Sequence, residues 1–142
     1  MNFFKLLPQI TYDGVLIRNL FFKYYLITNI PDKYLATYNI KDGETLESIA
    51  EFIYGDTELW WVIAFINQIE DVIFDLPISQ TAIQAMAKDQ STINGVLDMS
   101  LFSSTFDKLE TENDAKRVIK VVKVDHLNRV LSDIIQKFNE NK

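Results

Sequence analysis

Residues 38–77 read YNIKDGETLESIAEFIYGDTELWWVIAFINQIEDVIFDLP, and this stretch decides the fold. Ala36, Tyr38 and Ile40 alternate with Thr37 and Asn39, the period of a strand with one buried face. Asp42-Gly43 breaks that strand as a turn. Thr45 follows as a helix cap, because its hydroxyl can accept from an unpaired amide of the first turn, and Glu47 suits the positive end of the helix dipole. Leu46, Ile49, Ala50 and Ile53 fall at i, i+3, i+4 and i+7, so this helix has one apolar face. Gly55 ends it in a left-handed conformation. Asp56 or Thr57 then caps a second helix that runs to Asn67.

The second helix is apolar all round. Leu59, Val62, Ile63 and Ile66 lie on one side and would pack on the first helix and the strand, while Trp60, Trp61, Ala64 and Phe65 fall on the other. Such a helix must be covered on every side. Either the chain's own ends cover the tryptophan side, or a partner protein does.

Outward from this stretch the signals are uneven. Gln9–Tyr12 and Val15–Arg18 flank Asp13-Gly14, a hairpin signal because both turn residues must take positive φ. Residues 20–27, LFFKYYLI, are apolar and aromatic on both faces, as a buried segment or a docking surface would be. Asn29-Ile30-Pro31-Asp32 is a turn. Past Pro77, Ser79 can cap a short helix through Lys88, with Ala82, Ile83 and Met86 on one side. Residues 89–109 show no sustained period and read as a long loop, and Glu110–Asp114 reads as a solvated acidic turn. Arg117–Val124, RVIKVVKV, is the strongest strand signal in the chain. Asp125 is then expected to cap a last helix, whose stripe is Leu127, Val130, Leu131, Ile134 and Phe138.

Composition narrows the function classes. The 142 residues suffice for one ordinary core, 48% of them are hydrophobic, and the eighteen aromatic residues are a heavy load for cores or interfaces. A net charge of −6 argues against nucleic-acid or anionic-membrane partners, which need a basic footprint. Cysteine is absent, so no disulfide or thiolate chemistry arises. The amino terminus lacks signal-peptide features, and the longest apolar run, Leu59–Ile66, falls far short of the roughly 20 residues of a membrane span. The expectation is a soluble chain made in a cytoplasm. His126 alone makes no metal site, no glycine-rich phosphate loop exists, and Asp71 and Asp75 are better placed to satisfy loop amides than to cleave a glycan. Neither an enzyme nor a cofactor is expected.

Strand, glycine turn, capped helix, glycine and second helix ending in Asn resembles a LysM module, carried by Tyr38, Gly43, Thr45, Leu46, Ile49, Ala50 and Asn67. Trp61-Val62-Ile63, Asn67, Ile69-Glu70-Asp71 and Asp75-Leu76-Pro77, with Phe4, Pro8 and Tyr12 before them and the strand and helix from Arg117 after them, are similar to a narrower family. That family is the LysM-like baseplate wedge subunit of contractile-tailed phages, gene product fifty-three in T-even-like phages. The resemblance implies an α+β fold. Its LysM-like βααβ core would comprise 37–77 and 116–124, with an aromatic hairpin arm (1–36), an insertion of short helix and loop (78–115) and a carboxy-terminal amphipathic helix (125–142). It further implies a structural subunit of the tail baseplate, assembled in the host cytoplasm and present in multiple copies in a symmetric assembly. That subunit would join wedge proteins to the hub or tube-proximal ring, with wedge, hub or sheath-initiator proteins as partners. Burial of aromatic surface would be the mechanism, with Phe3, Phe4, Tyr12, Phe21, Phe22, Tyr24, Trp60, Trp61 and Phe65 as partner-binding residues. The alternative is a peptidoglycan-binding LysM module, but the insertion replaces one wall of the sugar groove.

Overall fold

The computed structural model describes residues 9–12, 14–18 and 30–140. The architecture is α+β. Among the described residues six strands pair as three two-stranded sheets, β1–β2, β3–β6 and β4–β5, and six α-helices accompany them. β1 (Gln9–Tyr12) and β2 (Val15–Arg18) form an antiparallel hairpin with Tyr12 opposite Val15, turning through Gly14 at φ 75°. Phe3, Phe4, Phe21, Phe22 and Tyr24, with the whole 20–27 segment, lie outside the described residues.

The chain divides into two compact units. The first gathers Met1–Ala36, Thr45–Gln68 and Lys120–Lys142. Its helix α1 (Leu46–Tyr54) starts at Thr45, whose hydroxyl accepts the Ser48 N–H at 3.2 Å while the Ser48 hydroxyl accepts the Thr45 N–H at 2.9 Å. This reciprocal cap satisfies two orphan amides with a serine where glutamate is commoner. Gly55 closes the helix at φ 69° and donates to the Glu51 carbonyl. The Asp56 carboxylate accepts the Glu58 N–H and opens a 3-10 turn (Thr57–Leu59) that runs into α2 (Trp60–Ile66). α2 buries Trp61, Val62, Ile63, Ala64 and Phe65. Its last turn is fixed by Asn67. That side-chain amide donates to the carbonyls of Ile63 (2.8 Å) and Lys120 (2.7 Å), and its oxygen accepts the Lys120 N–H at 2.7 Å. The Tyr54 hydroxyl donates to the Val122 carbonyl at 2.9 Å, so both helices are tied to one strand.

That strand is β6 (Val118–Val122), paired with β3 (Leu35–Asn39). At one end the Lys123 N–H donates to the Tyr34 carbonyl, and at the other the Ile40 N–H donates to the Arg117 carbonyl, so the two strands are antiparallel. The pairing expected between Arg117–Val124 and the strand around Tyr38 is therefore present. α6 (Leu127–Glu140) buries Val130 and Ile134 from its apolar stripe. Asp125 does not cap it: a 3-10 turn (Val124–His126) intervenes, with Lys123 at its start and no side-chain cap.

The second unit comprises Thr37–Glu44 and Ile69–Ile119. α3 (Val72–Asp75) is a single turn, and α4 (Gln80–Gln90) is capped by the Ser79 hydroxyl on the Ala82 N–H. Here the sequence reading needs correction. The expected loop over 89–109 is a tight hairpin, β4 (Thr92–Ile93) and β5 (Val96–Leu97), followed by the 17-residue helix α5 (Met99–Ala115). Asn94 and Gly95, at φ 50° and 78°, supply the two positive-φ positions that a two-residue hairpin needs. Asp98 caps α5 by accepting the Leu101 N–H at 3.0 Å, and Phe102, Phe106, Leu109 and Asn113 recur at helical spacing. The expected solvated turn at 110–114 is the last turn of α5. There Asn113 is buried, accepting the Ile78 N–H at 2.8 Å and donating to the Ile78 carbonyl at 2.9 Å.

Candidate functional site

Two of the predicted partner-binding residues are interior. Trp61 is 1% exposed and Phe65 3%, with their rings edge-on at 5.6 Å and 88°. The side of α2 expected to face a partner is covered within the folded chain, so Trp61 and Phe65 are core residues here. Trp60 is half-buried, and β1 carries Tyr12.

Exposed apolar surface lies elsewhere. In the second unit Val72, Phe74, Ile93, Val96, Met99 and Val118 are each more than half exposed, and Met86 and Leu101 stand at 41% and 37%. Phe74, on α3, and Met86, on α4, edge a groove of about 260 Å³ whose other walls are Ile78, Ile83, Leu109, Glu112, Asn113 and Lys116. α4 and α5 supply most of its lining. α4 presents Ile83 and Met86 three residues apart, and α5 presents Leu109, Glu112 and Asn113, with its C-cap Lys116 seven residues past Leu109. The sequence reading placed Ile83 and Met86 on one helical side but held nothing for α5, whose stripe is diluted by Ser, Thr and Asn.

The polar groups around this groove are engaged in holding it. Asn113 spends both ends of its amide on Ile78. The Asp75 carboxylate accepts the N–H groups of Glu70 (2.9 Å) and Asp71 (3.0 Å), bonds that hold it below the usual carboxylate range, with the Lys116 charge assisting. Asp71 in turn reaches the Phe74 N–H at 3.4 Å. The two carboxylates four apart thus satisfy loop amides.

On the same unit, the Asp42-Gly43 turn is closed over by the chain. Asp42 accepts the Gln80 N–H at 3.0 Å and lies 3.8 Å from the Arg117 guanidinium. That guanidinium also donates to Asp114 (3.0 Å) and to the Ile40 carbonyl (3.1 Å). Beside it the Tyr38 hydroxyl donates to Glu44 at 2.6 Å, and burial together with that carboxylate pushes the phenol up to about 12. Among the described residues no three His, Cys, Asp or Glu side chains gather as a metal site, and no helix is long and apolar enough to cross a membrane. What the surface offers chemically is apolar contact.

Residues 5–98, about two thirds of the chain, match the phage family described as base plate wedge protein 53. No curated protein matches. The chain belongs to the base plate wedge protein 53 family, and is a structural protein of the phage virion's baseplate.

Proposed function

From that membership we propose that the chain is a wedge connector, joining wedge proteins to the hub or tube-proximal ring of a contractile tail by burying apolar surface against several neighbours. The observation that carries this reading is the open apolar set of the second unit, from Val72 and Phe74 through Val96 and Met99. These are side chains of interface type on a chain whose family assembles into a baseplate. The arm aromatics Phe3, Phe4, Tyr12, Phe21, Phe22 and Tyr24 are proposed as a second contact set, and Trp60 as a marginal member. Wedge, hub or sheath-initiator proteins would be the partners, in several symmetric copies.

A LysM-like core, strand, capped helix, second helix and a returning strand, is supported by the order β3, α1, α2, β6 and by the β3–β6 pairing. Nothing favours glycan binding: the first-strand turn that would line a sugar groove is bonded to the start of α4 through Asp42 and Gln80. The test is composition and assembly. Purified tails should contain the chain in fixed ratio to other wedge proteins, and phage lacking it should stall before complete baseplates form. Tails that lack the chain, or complete baseplates without it, would overturn the reading.

A further inference from the structure

The net charge of −6 is not spread over the molecule. The second unit holds eleven Asp and Glu against five Lys and Arg, whereas the first holds nine of each. The apolar groove between α4 and α5 therefore lies on the acidic unit. We propose that this groove seats a basic amphipathic helix of another protein of the tail, a reading that rests on the baseplate assignment above.

Size and chemistry both bear on the occupant. At about 260 Å³ the groove falls under the roughly 300–1,000 Å³ of small-molecule sites and has room for a couple of apolar side chains. Its one buried polar side chain, Asn113, is consumed by Ile78, which leaves Glu112 and Lys116 as the only other polar side chains of the lining. The walls are helices whose main chains are bonded internally, and offer no edge to an added strand. A helix laid between α4 and α5, anchored at i, i+3 or i+4 and i+7, is the recognition mode that such walls allow. From Leu109 to Lys116 the α5 side of the lining rises over seven residues, roughly 10 Å, enough to contact two turns of a guest helix. Met86 at the rim can repack around different anchors.

Charge decides the flanks of the guest. The groove's own charges are Glu112 and Lys116, and Lys116 already acts on the Asp75 carboxylate. A partner approaching this unit meets an excess of six negative charges. Lys and Arg beside the apolar anchors would be steered in, and acidic flanks repelled.

The test is a photo-crosslinking amino acid placed at Met86 in assembled phage tails, with the cross-linked peptide sequenced by mass spectrometry. The expected product is a segment of a different tail protein with apolar residues at helical spacing and Lys or Arg between them. Phe74→Asp, which removes an exposed wall, should lower the yield about tenfold or more, the scale of a lost anchor. Glu112→Lys should lower it less and make it less sensitive to salt, with circular dichroism confirming that both variants fold. An acidic or extended cross-linked peptide, a second copy of this chain, or no product in tails that contain the chain would overturn the proposal and leave the baseplate assignment standing. Tails without the chain would overturn the assignment itself.

Discussion

Trp61→Ala tests where α2 stands between core and interface. If the tryptophan side of this helix awaited a partner, the substitution would cost the isolated chain little. The structure says otherwise: Trp61 is 1% exposed, and its ring meets Phe65 edge-on at 5.6 Å. Removing a buried tryptophan forfeits transfer energy and leaves a cavity that the rigid neighbours fill only in part, together about 3–5 kcal/mol. The lost aromatic edge contact, about 0.5–1.5 kcal/mol, is contained in that figure. Ile63→Ala, at a fully buried site on the opposite side, should cost about 2–5 kcal/mol. Against a total of about 5–15 kcal/mol for a domain, either change consumes a large share of stability. For a chain of this size the melting temperature should fall by about 6–20 °C with Trp61→Ala. Urea melts followed by far-ultraviolet circular dichroism are the assay, since tryptophan emission changes with the substitution itself. A loss under about 1 kcal/mol, the scale of a surface change, would mean that this face is not core in solution.

Asn67→Ala should cost about 1–2 kcal/mol in the same melts, because it removes both bonds to Lys120 but leaves that exposed backbone to water. Asn113→Ala should cost more, about 2–4 kcal/mol, since the Ile78 amide and carbonyl are partly buried and lose the Asn113 bonds that satisfy them, and equal losses at the two sites would contradict this. The Asp75 carboxyl is held low by two backbone N–H groups, so the folded state favours its ionised form. Its contribution is present above the unfolded value of about 3.9 and fades as pH falls through the folded value. The stability gap between wild type and Asp75→Asn should accordingly close in acid, and a gap that stays constant below about pH 4 would refute the assignment. Sedimentation with purified peptidoglycan beside an ordinary LysM domain should show no saturable pelleting of this chain, because Gln80 occupies the Asp42 turn.

What was legible in the sequence was local. The Thr45 cap, the Gly55 stop, the hairpin around Gly14 and the strand after Arg117 each announce themselves within a few residues, and each is found in the structure. α5 was not legible, though its signals are also local. Phe102, Phe106 and Leu109 lie at i, i+4 and i+7, yet Ser103, Ser104, Thr105 and Thr111 lower the helix propensity of the window. Capping by Asp98 and packing of the stripe outweigh that propensity. Asn94-Gly95 was a hairpin signal as strong as Asp13-Gly14, hidden because the strands around it are two residues long.

The rest of what was not legible was long-range. Asn67 reaches Lys120 across 53 residues, and Asn113 reaches Ile78 across 35. In each case one side-chain amide takes both the N–H and the carbonyl of a distant residue, as a strand neighbour would. No periodicity encodes such a pairing, and an asparagine among Glu110, Glu112 and Asp114 reads as solvent-facing until its partner is known. The charge was obscured for a related reason. The two units interleave along the chain, so the eleven acidic residues of one and the balanced nine of the other alternate in sequence. A total of −6 then looks like a mild property of the whole, when all of it belongs to the unit that carries the groove. Which chemistry a partner needs is thus set by how the chain is partitioned, and only the fold supplies that.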